Sequence, residues 1–334
     1  MKDSVPDRWS ETPWQQQGQD FPVPMWHKPQ VPYSSLPGRL QHVDVWVPAT
    51  STSQSDTPSP SWLPPSSSLW VIYVHGGAWR DPLITSDSLV PALKRLPREL
   101  FESAGPKAPT AFASVSYSLS PYPEHPTLPS KPSDYSRNAT HPGHILDVMA
   151  AISFLQQTAG FGSNYILAGH SCGATLAFQV AMNTARWGVG PAKAYIRPPA
   201  SILGLNGIYD LPGLVDGPGE KHEHLRPIYE QFTRNAFGKD RGLWAFISPA
   251  LVQDWAAEWP GGRHAILVQT REDSLIPFSQ GEQLRDSLVR SGTGKLRVEL
   301  LEGYGDHDET WENGTLLASM ISRAIYSVIE TTEK

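Results

Sequence analysis

From Leu69 onward the chain carries five short apolar runs: Leu69 to Val74, Ala111 to Tyr117, Tyr165 to Ala168, Ser201 to Leu205 and Ala265 to Gln269. Runs that are apolar on both faces suit the central strands of a sheet covered by helices on each side. The stretches between them carry helical spacing. Ile145, Val148, Met149, Ile152 and Leu155 recur at helical intervals, and Ala174 to Met182 is compact and apolar. The last segment pairs Leu316/Leu317, Met320/Ile321, Ala324/Ile325 and Val328/Ile329 every four residues, a stripe for docking onto a sheet. Alternating strand and helix predicts an α/β fold with a mostly parallel, doubly wound sheet.

Two more polar runs, Leu40 to Pro48 and Leu296 to Leu301, alternate with period two and extend that sheet. Residues 1–39 are rich in Pro, Gln and charge, with Trp14, Phe21 and Trp26 scattered among them, and read as an irregular N-terminal arm. Residues 40–334 then form one domain. Within it, residues 49–68 are dominated by Ser, Thr and Pro and read as a solvated insertion between two strands. Ser120 to Pro142 and Leu211 to Trp244 break the alternation and are candidate lids. The strands continue on either side of them, which favours one domain with excursions over two domains.

A net charge of −6, with no Lys/Arg cluster, argues against nucleic acid as a partner, because phosphate binding needs a basic face. Cys172 is the single cysteine, so no intramolecular disulfide forms, which fits a reducing compartment. The first residues lack the apolar stretch of a signal peptide. No run approaches the roughly 18 apolar residues that span a bilayer. The expectation is a cytoplasmic protein without a membrane partner; a homodimer stays open.

The chemistry concentrates where strands end. Gly169-His170-Ser171-Cys172-Gly173 follows an apolar strand and opens an apolar helix. G-x-S-x-G in that setting is a nucleophile elbow: the glycines let strand and helix approach, the serine takes a strained backbone conformation, and its hydroxyl stands clear of the sheet. His75-Gly76-Gly77-Ala78-Trp79 follows the strand Leu69 to Val74. Backbone N–H groups of Gly76 and Gly77, with that of Cys172, are candidates for an oxyanion hole. His75 precedes the serine and reads as a structural hydrogen-bonding residue. Cys172 reads as a small residue whose backbone N–H matters more than its thiol.

In this fold the acid and base follow the serine in the order carboxylate, then histidine. Asp273 lies just past the strand Ala265 to Gln269; Glu272 competes with it, and the pattern Asp-x-x-Ile-Pro favours Asp273. His307, in Gly303-Tyr304-Gly305-Asp306-His307-Asp308, follows the last strand and suits the general base. His222 and His224 fall in a presumed lid, and His264 enters a strand too early. Asp306 and Asp308 beside His307 raise the question of a metal, but no second histidine lies at ligand spacing, so neither metal nor cofactor is expected. These features together predict an α/β-hydrolase fold with helices on both faces and lid excursions.

His75 to Pro82 (HGGAWRDP), the elbow Gly169 to Ala174, His141 to Val148 (HPGHILDV) and Gly207 to Leu211 (GIYDL) resemble fungal kynurenine formamidase, also called arylformamidase. The resemblance runs from about Leu40 to the C-terminus. The arm and the insertion are longer than the family pattern requires, and Cys172 stands where alanine is common. The resemblance implies hydrolysis of N-formyl-L-kynurenine to L-kynurenine and formate, in tryptophan breakdown toward NAD. An aryl formamide needs almost no acyl pocket but does need an aromatic slot, for which Trp79, Tyr209 and Trp244 are candidates. Two alternatives share the sequence: a carboxylesterase on small aryl or short-acyl esters, and a hydrolase-fold binding protein without catalysis.

Overall fold

In the computed structural model, which describes residues 8–18, 20–35, 37–49, 57–102, 109–188 and 196–332, the apolar runs form strands close to their expected bounds. In chain order the strands are β1 (Gln15–Gln17), β2 (Met25–Pro32), β3 (His42–Pro48), β4 (Leu69–Val74), β5 (Pro109–Val115), β6 (Tyr165–His170), β7 (Ser201–Leu205), β8 (His264–Gln269) and β9 (Arg297–Glu302). They form one sheet in the order β1-β2-β3-β5-β4-β6-β7-β8-β9. The pairs from β5 to β9 are parallel, and β1, β2 and β3 add on antiparallel at one edge.

Side-chain alternation in β4 divides the core. Trp70, Ile72 and Val74 point into one apolar cluster with the helices Gly143–Ala159 and Cys172–Val180, while Val71 and Tyr73 point into another. The helix Thr315–Thr332 covers that second face with Leu316, Leu317, Ile321, Ala324 and Ile325, the stripe read from the sequence. This is the doubly wound sheet of an α/β-hydrolase. Its strand progression reverses between β4 and β6: β4 connects toward β5 on one side and β6 toward β7 on the other. Their C-terminal loops therefore part and leave a crevice at the switch point. No helix among the described residues is long and apolar enough to cross a membrane.

The N-terminal arm departs from expectation. Residues read as irregular supply the short helix Arg8–Glu11 and the two strands at one edge, β1 and β2, so a domain boundary at residue 39/40 does not match the sheet. The pattern was hidden by Lys28-Pro29-Gln30. The register of β2 against β3 shifts between Lys28 and Val31, and Gln30 takes φ 48°, so a bulge accommodates a proline that regular pairing would reject.

Lys28 itself is fully buried. Its ammonium donates to the carbonyls of Trp9 (2.8 Å), Pro60 (2.9 Å) and Thr12, and lies 5.0 and 4.9 Å from the ring centroids of Trp9 and Trp14. Burial lowers its pKa to about 8. Part of the Ser/Pro-rich insertion, residues 50–56, lies outside the described residues. The remainder connects β3 to β4 as expected, and Trp62 packs its ring edge on Trp14 at 5.6 Å.

Replacing Lys28 by Met keeps the volume but leaves three carbonyls facing an apolar tip. Leaving a buried polar group without its hydrogen-bond partner costs about 1–3 kcal/mol. Denaturant unfolding of Lys28→Met, followed by tryptophan fluorescence, is expected to show that loss. An unchanged midpoint would mean that this lysine does not anchor the arm.

Candidate active site

The strand β6 delivers Ser171 directly into the helix Cys172–Val180. Ser171 sits at φ 53°, ψ −125°, a conformation that costs an L-residue of order 1–3 kcal/mol and persists only where its surroundings enforce it. They do so here. The Ser171 N–H donates to Leu205 O at 2.9 Å, and the two flanking glycines remove side chains where backbones meet. A Cβ on Gly169 would strike the carbonyl of Gly173, and one on Gly173 would strike the carbonyls of Val74 and His75.

The loop after β4 is held just as firmly. Tyr117 donates its hydroxyl to His75 O at 3.0 Å and stacks on the His75 ring at a centroid distance of 4.5 Å. Burial lowers the pKa of His75 to about 4, keeping it neutral in the structural place expected for it. Ala78 and Trp79 both adopt positive φ, 49° and 59°. Cys172 holds that turn, because its sulfur accepts the Trp79 N–H at 3.2 Å. The thiol is fully buried, and burial pushes its pKa up to about 11 despite those contacts.

His307 and Asp273 meet from two different loops. His307 Nδ1 lies 2.8 Å from Asp273 Oδ2, and Asp273 Oδ1 accepts the N–H groups of Leu275 (2.8 Å) and Ile276 (2.7 Å). Burial lowers the pKa of His307, but the charge of Asp273 and its hydrogen bond, with Asp308 and Asp306 nearby, outweigh that and leave it raised. Glu272, the competing carboxylate, instead accepts the Gly305 N–H at 2.8 Å. Asp306 accepts from Ser274 N and Oγ and from His307 N, tying the histidine loop to the aspartate loop. His222 reaches only the backbone carbonyl of Asp273, at 3.0 Å, and His264 pairs with Glu299 far along the strand.

Ser171 and His307 line one cavity of about 190 Å³ at the C-terminal ends of β4 and β6. No hydrogen bond joins them among the described contacts; such bonds are often long in an empty enzyme and tighten around substrate. Gly77 and Ala78 line the same cavity, whereas Gly76 packs against His170 and Ser171 behind it, and Cys172 lies beneath. Leu225, Ile228, Tyr229 and Phe232 of the Leu211 to Trp244 excursion form the roof, and Tyr122 of the other excursion stands at the side.

The three aromatic candidates lie elsewhere. Trp79, Tyr209 and Trp244 are 0%, 0% and 1% exposed. Trp79 packs edge-on against Phe237 at 4.9 Å, and Tyr209 edge-on against Phe178 at 5.6 Å. Trp244 donates to Gly238 O at 3.0 Å inside its own excursion. Large aromatics next to a motif serve the core here, and the cavity wall draws on smaller rings and aliphatic chains that periodicity does not mark.

One grouping of possible metal ligands occurs among the described residues. Atoms of His170, His307 and Asp308 lie within 4.8 Å of one another, two histidines brought together across 137 positions. One nitrogen of each ring is already engaged within the protein: His170 Nε2 contacts His307 O at 3.0 Å, and His307 Nδ1 is bound to Asp273.

Family models give no match to the chain. A kynurenine formamidase-like hydrolase of Fusarium equiseti is 34% identical over 299 residues, covering 88% of this chain and 93% of that protein. The chain belongs to the kynurenine formamidase family. A kynurenine formamidase of Aspergillus versicolor is 33% identical, covering 72% of this chain and 83% of its own length. The Saccharomyces cerevisiae kynurenine formamidase is 28% identical over 73% of this chain and 84% of its own length. Among solved structures, esterase B from Lactobacillus rhamnosis superposes with a TM-score of 0.62 at 15% identity, covering 94% of this chain and 90% of that one. At that identity the likeness speaks to the shared fold. This member of the family is a hydrolase.

The buried thiol generates a test of its role. In native buffer the single cysteine is expected not to react with Ellman's reagent, and to titrate as one thiol per chain in denaturant. Rapid labelling of the native enzyme would contradict the Cys172 position described here.

Proposed function

We propose that this protein hydrolyses N-formyl-L-kynurenine to L-kynurenine and formate, with Ser171 as nucleophile, His307 as general base and Asp273 as the residue that orients it. The observation that carries the reading is the buried His307–Asp273 contact of 2.8 Å on a cavity that also exposes the strained Ser171, in a chain of this family. With Nδ1–H donated to Asp273, Nε2 is the ring nitrogen left to accept a proton.

In this reading His307 Nε2 takes the Ser171 proton as Oγ attacks the formyl carbon. The N–H groups of Gly77 and Cys172 receive the oxyanion, with that of Gly76 as a third candidate; the Ala78 N–H is engaged by the Cys172 sulfur. Each such donor is worth about 3 kcal/mol of barrier. His307 then protonates the departing aniline nitrogen, and the C–N bond breaks. Water, deprotonated by the same imidazole, releases formate from the formyl-serine. The product feeds tryptophan breakdown toward NAD, and the single thiol supports a cytoplasmic setting.

Purified protein is expected to release kynurenine from N-formyl-L-kynurenine faster than it cleaves a p-nitrophenyl ester at equal concentration. Ester cleavage without detectable kynurenine would sink this reading. Ser171→Ala should lose at least about 10³-fold in kcat/KM and all labelling by a fluorophosphonate probe. Asp273→Asn should lose roughly 10³- to 10⁴-fold while still folding.

The pH dependence follows from the sign of the His307 shift. A base must be neutral to accept a proton, and a raised pKa keeps the imidazole charged to higher pH. The acid limb of kcat/KM should therefore titrate above the ordinary histidine value of about 6.5. In Asp273→Asn the residual activity should show that limb at lower pH, because the stabilising carboxylate charge is gone. A limb at the same pH in both proteins would contradict the assignment of Asp273.

A further inference from the structure

Arg80 follows the His75 to Trp79 motif directly and, among the described residues lining the cavity, is the single lysine or arginine. It is 5% exposed. Its guanidinium carbon lies 3.9 Å from the Tyr122 ring centroid and 5.8 Å from that of Phe232. Nη1 donates to Gln231 Oε1 at 3.1 Å, a neutral amide on the helix Arg226–Phe237. No carboxylate among the described residues comes within ion-pair reach of it. Asp81 and Glu124 act on it only through space; the Asp81 carboxylate accepts from Leu83 N and faces His125 at 3.4 Å.

A cation taken out of water is costly unless a counter-charge meets it. Burial lowers the Arg80 pKa, yet a guanidinium does not lose its proton in a protein, so the charge stays. Tyr122 lies close over the guanidinium and Gln231 takes one Nη1 N–H, while the in-plane N–H edge of a guanidinium is what grips a carboxylate in a bidentate pair. We propose that Arg80 binds the carboxylate of the substrate, making the cavity a site for aryl formamides that carry an anionic side arm.

The proposal rests on the formamidase reading for the formyl end and adds what recognises the other end. An amino-acid headgroup supplies the carboxylate; an aryl formamide without one leaves Arg80 unpaired and should bind worse. Tyr122 and Gln231 come from the two excursions, so the grip requires both to be in place.

Steady-state kinetics on two matched pairs test this. One pair is N-formyl-L-kynurenine against 2-formamidoacetophenone, which lacks the amino-acid head; the other is 3-(4-acetoxyphenyl)propionate against 4-ethylphenyl acetate. The wild-type protein is expected to prefer the carboxylate-bearing member of each pair. Arg80→Gln should cut that preference in kcat/KM by roughly 30-fold, chiefly through KM, and Arg80→Lys should restore part of it. Equal losses on charged and neutral substrates would mark Arg80 as structural and overturn the proposal, as would an undiminished preference in Arg80→Gln. If the wild type cleaves neither formamide, the formamidase reading fails, and the acetate pair still decides whether Arg80 reads a carboxylate.

Discussion

The approach of the Cys172–Val180 helix to the end of β4 is the constraint from which the site follows. Gly173 lies against the carbonyls of Val74 and His75, closer than any side chain allows, and Gly169 lies against Gly173 itself. That contact brings the loop after β4 and the turn after β6 to one point at the crevice where the strand order reverses. It forces Ser171 into a left-handed conformation and puts the Cys172 sulfur where the Trp79 N–H can bond to it. Ser171 and the adjacent backbone turn are thus one packed unit rather than two loops that happen to meet.

The other half of the site is stitched by hydrogen bonds. Asp306 holds Ser274, Glu272 holds Gly305, and Asp273 spends one oxygen on two backbone N–H groups so that the other faces His307. Burial would discharge an isolated imidazole, as it lowers the pKa of both His75 and His170. His307 alone of these three keeps a raised affinity for a proton, because a carboxylate is fixed beside it. Environment, not residue type, separates His307 from its neighbours.

How much was visible beforehand depended on range. The strands β4, β7 and β8 and the C-terminal stripe were read nearly to their ends, because each signal lies within a few consecutive residues. Ser171 between its two glycines and Asp273 just past β8 were likewise marked by local spacing. The N-terminal strands were missed because Pro29 and the bulge at Gln30 break the alternation that betrays a strand. Trp79, Tyr209 and Trp244 were read toward the substrate because sequence shows that an aromatic follows a motif, not which way its ring turns.

The order of residues by itself determined the sheet class, the strained serine between two glycines, and the succession of serine, carboxylate and histidine along the chain. Those properties arise from backbone sterics and hydrophobic period, which act between near neighbours. Only the tertiary structure decided that Arg80 lies buried against Tyr122 with no carboxylate of the described residues paired to it, that Ala78 rather than Gly76 borders the cavity, and that His170 touches His307. Such facts depend on where distant segments settle when apolar surface is buried, and no local pattern encodes that.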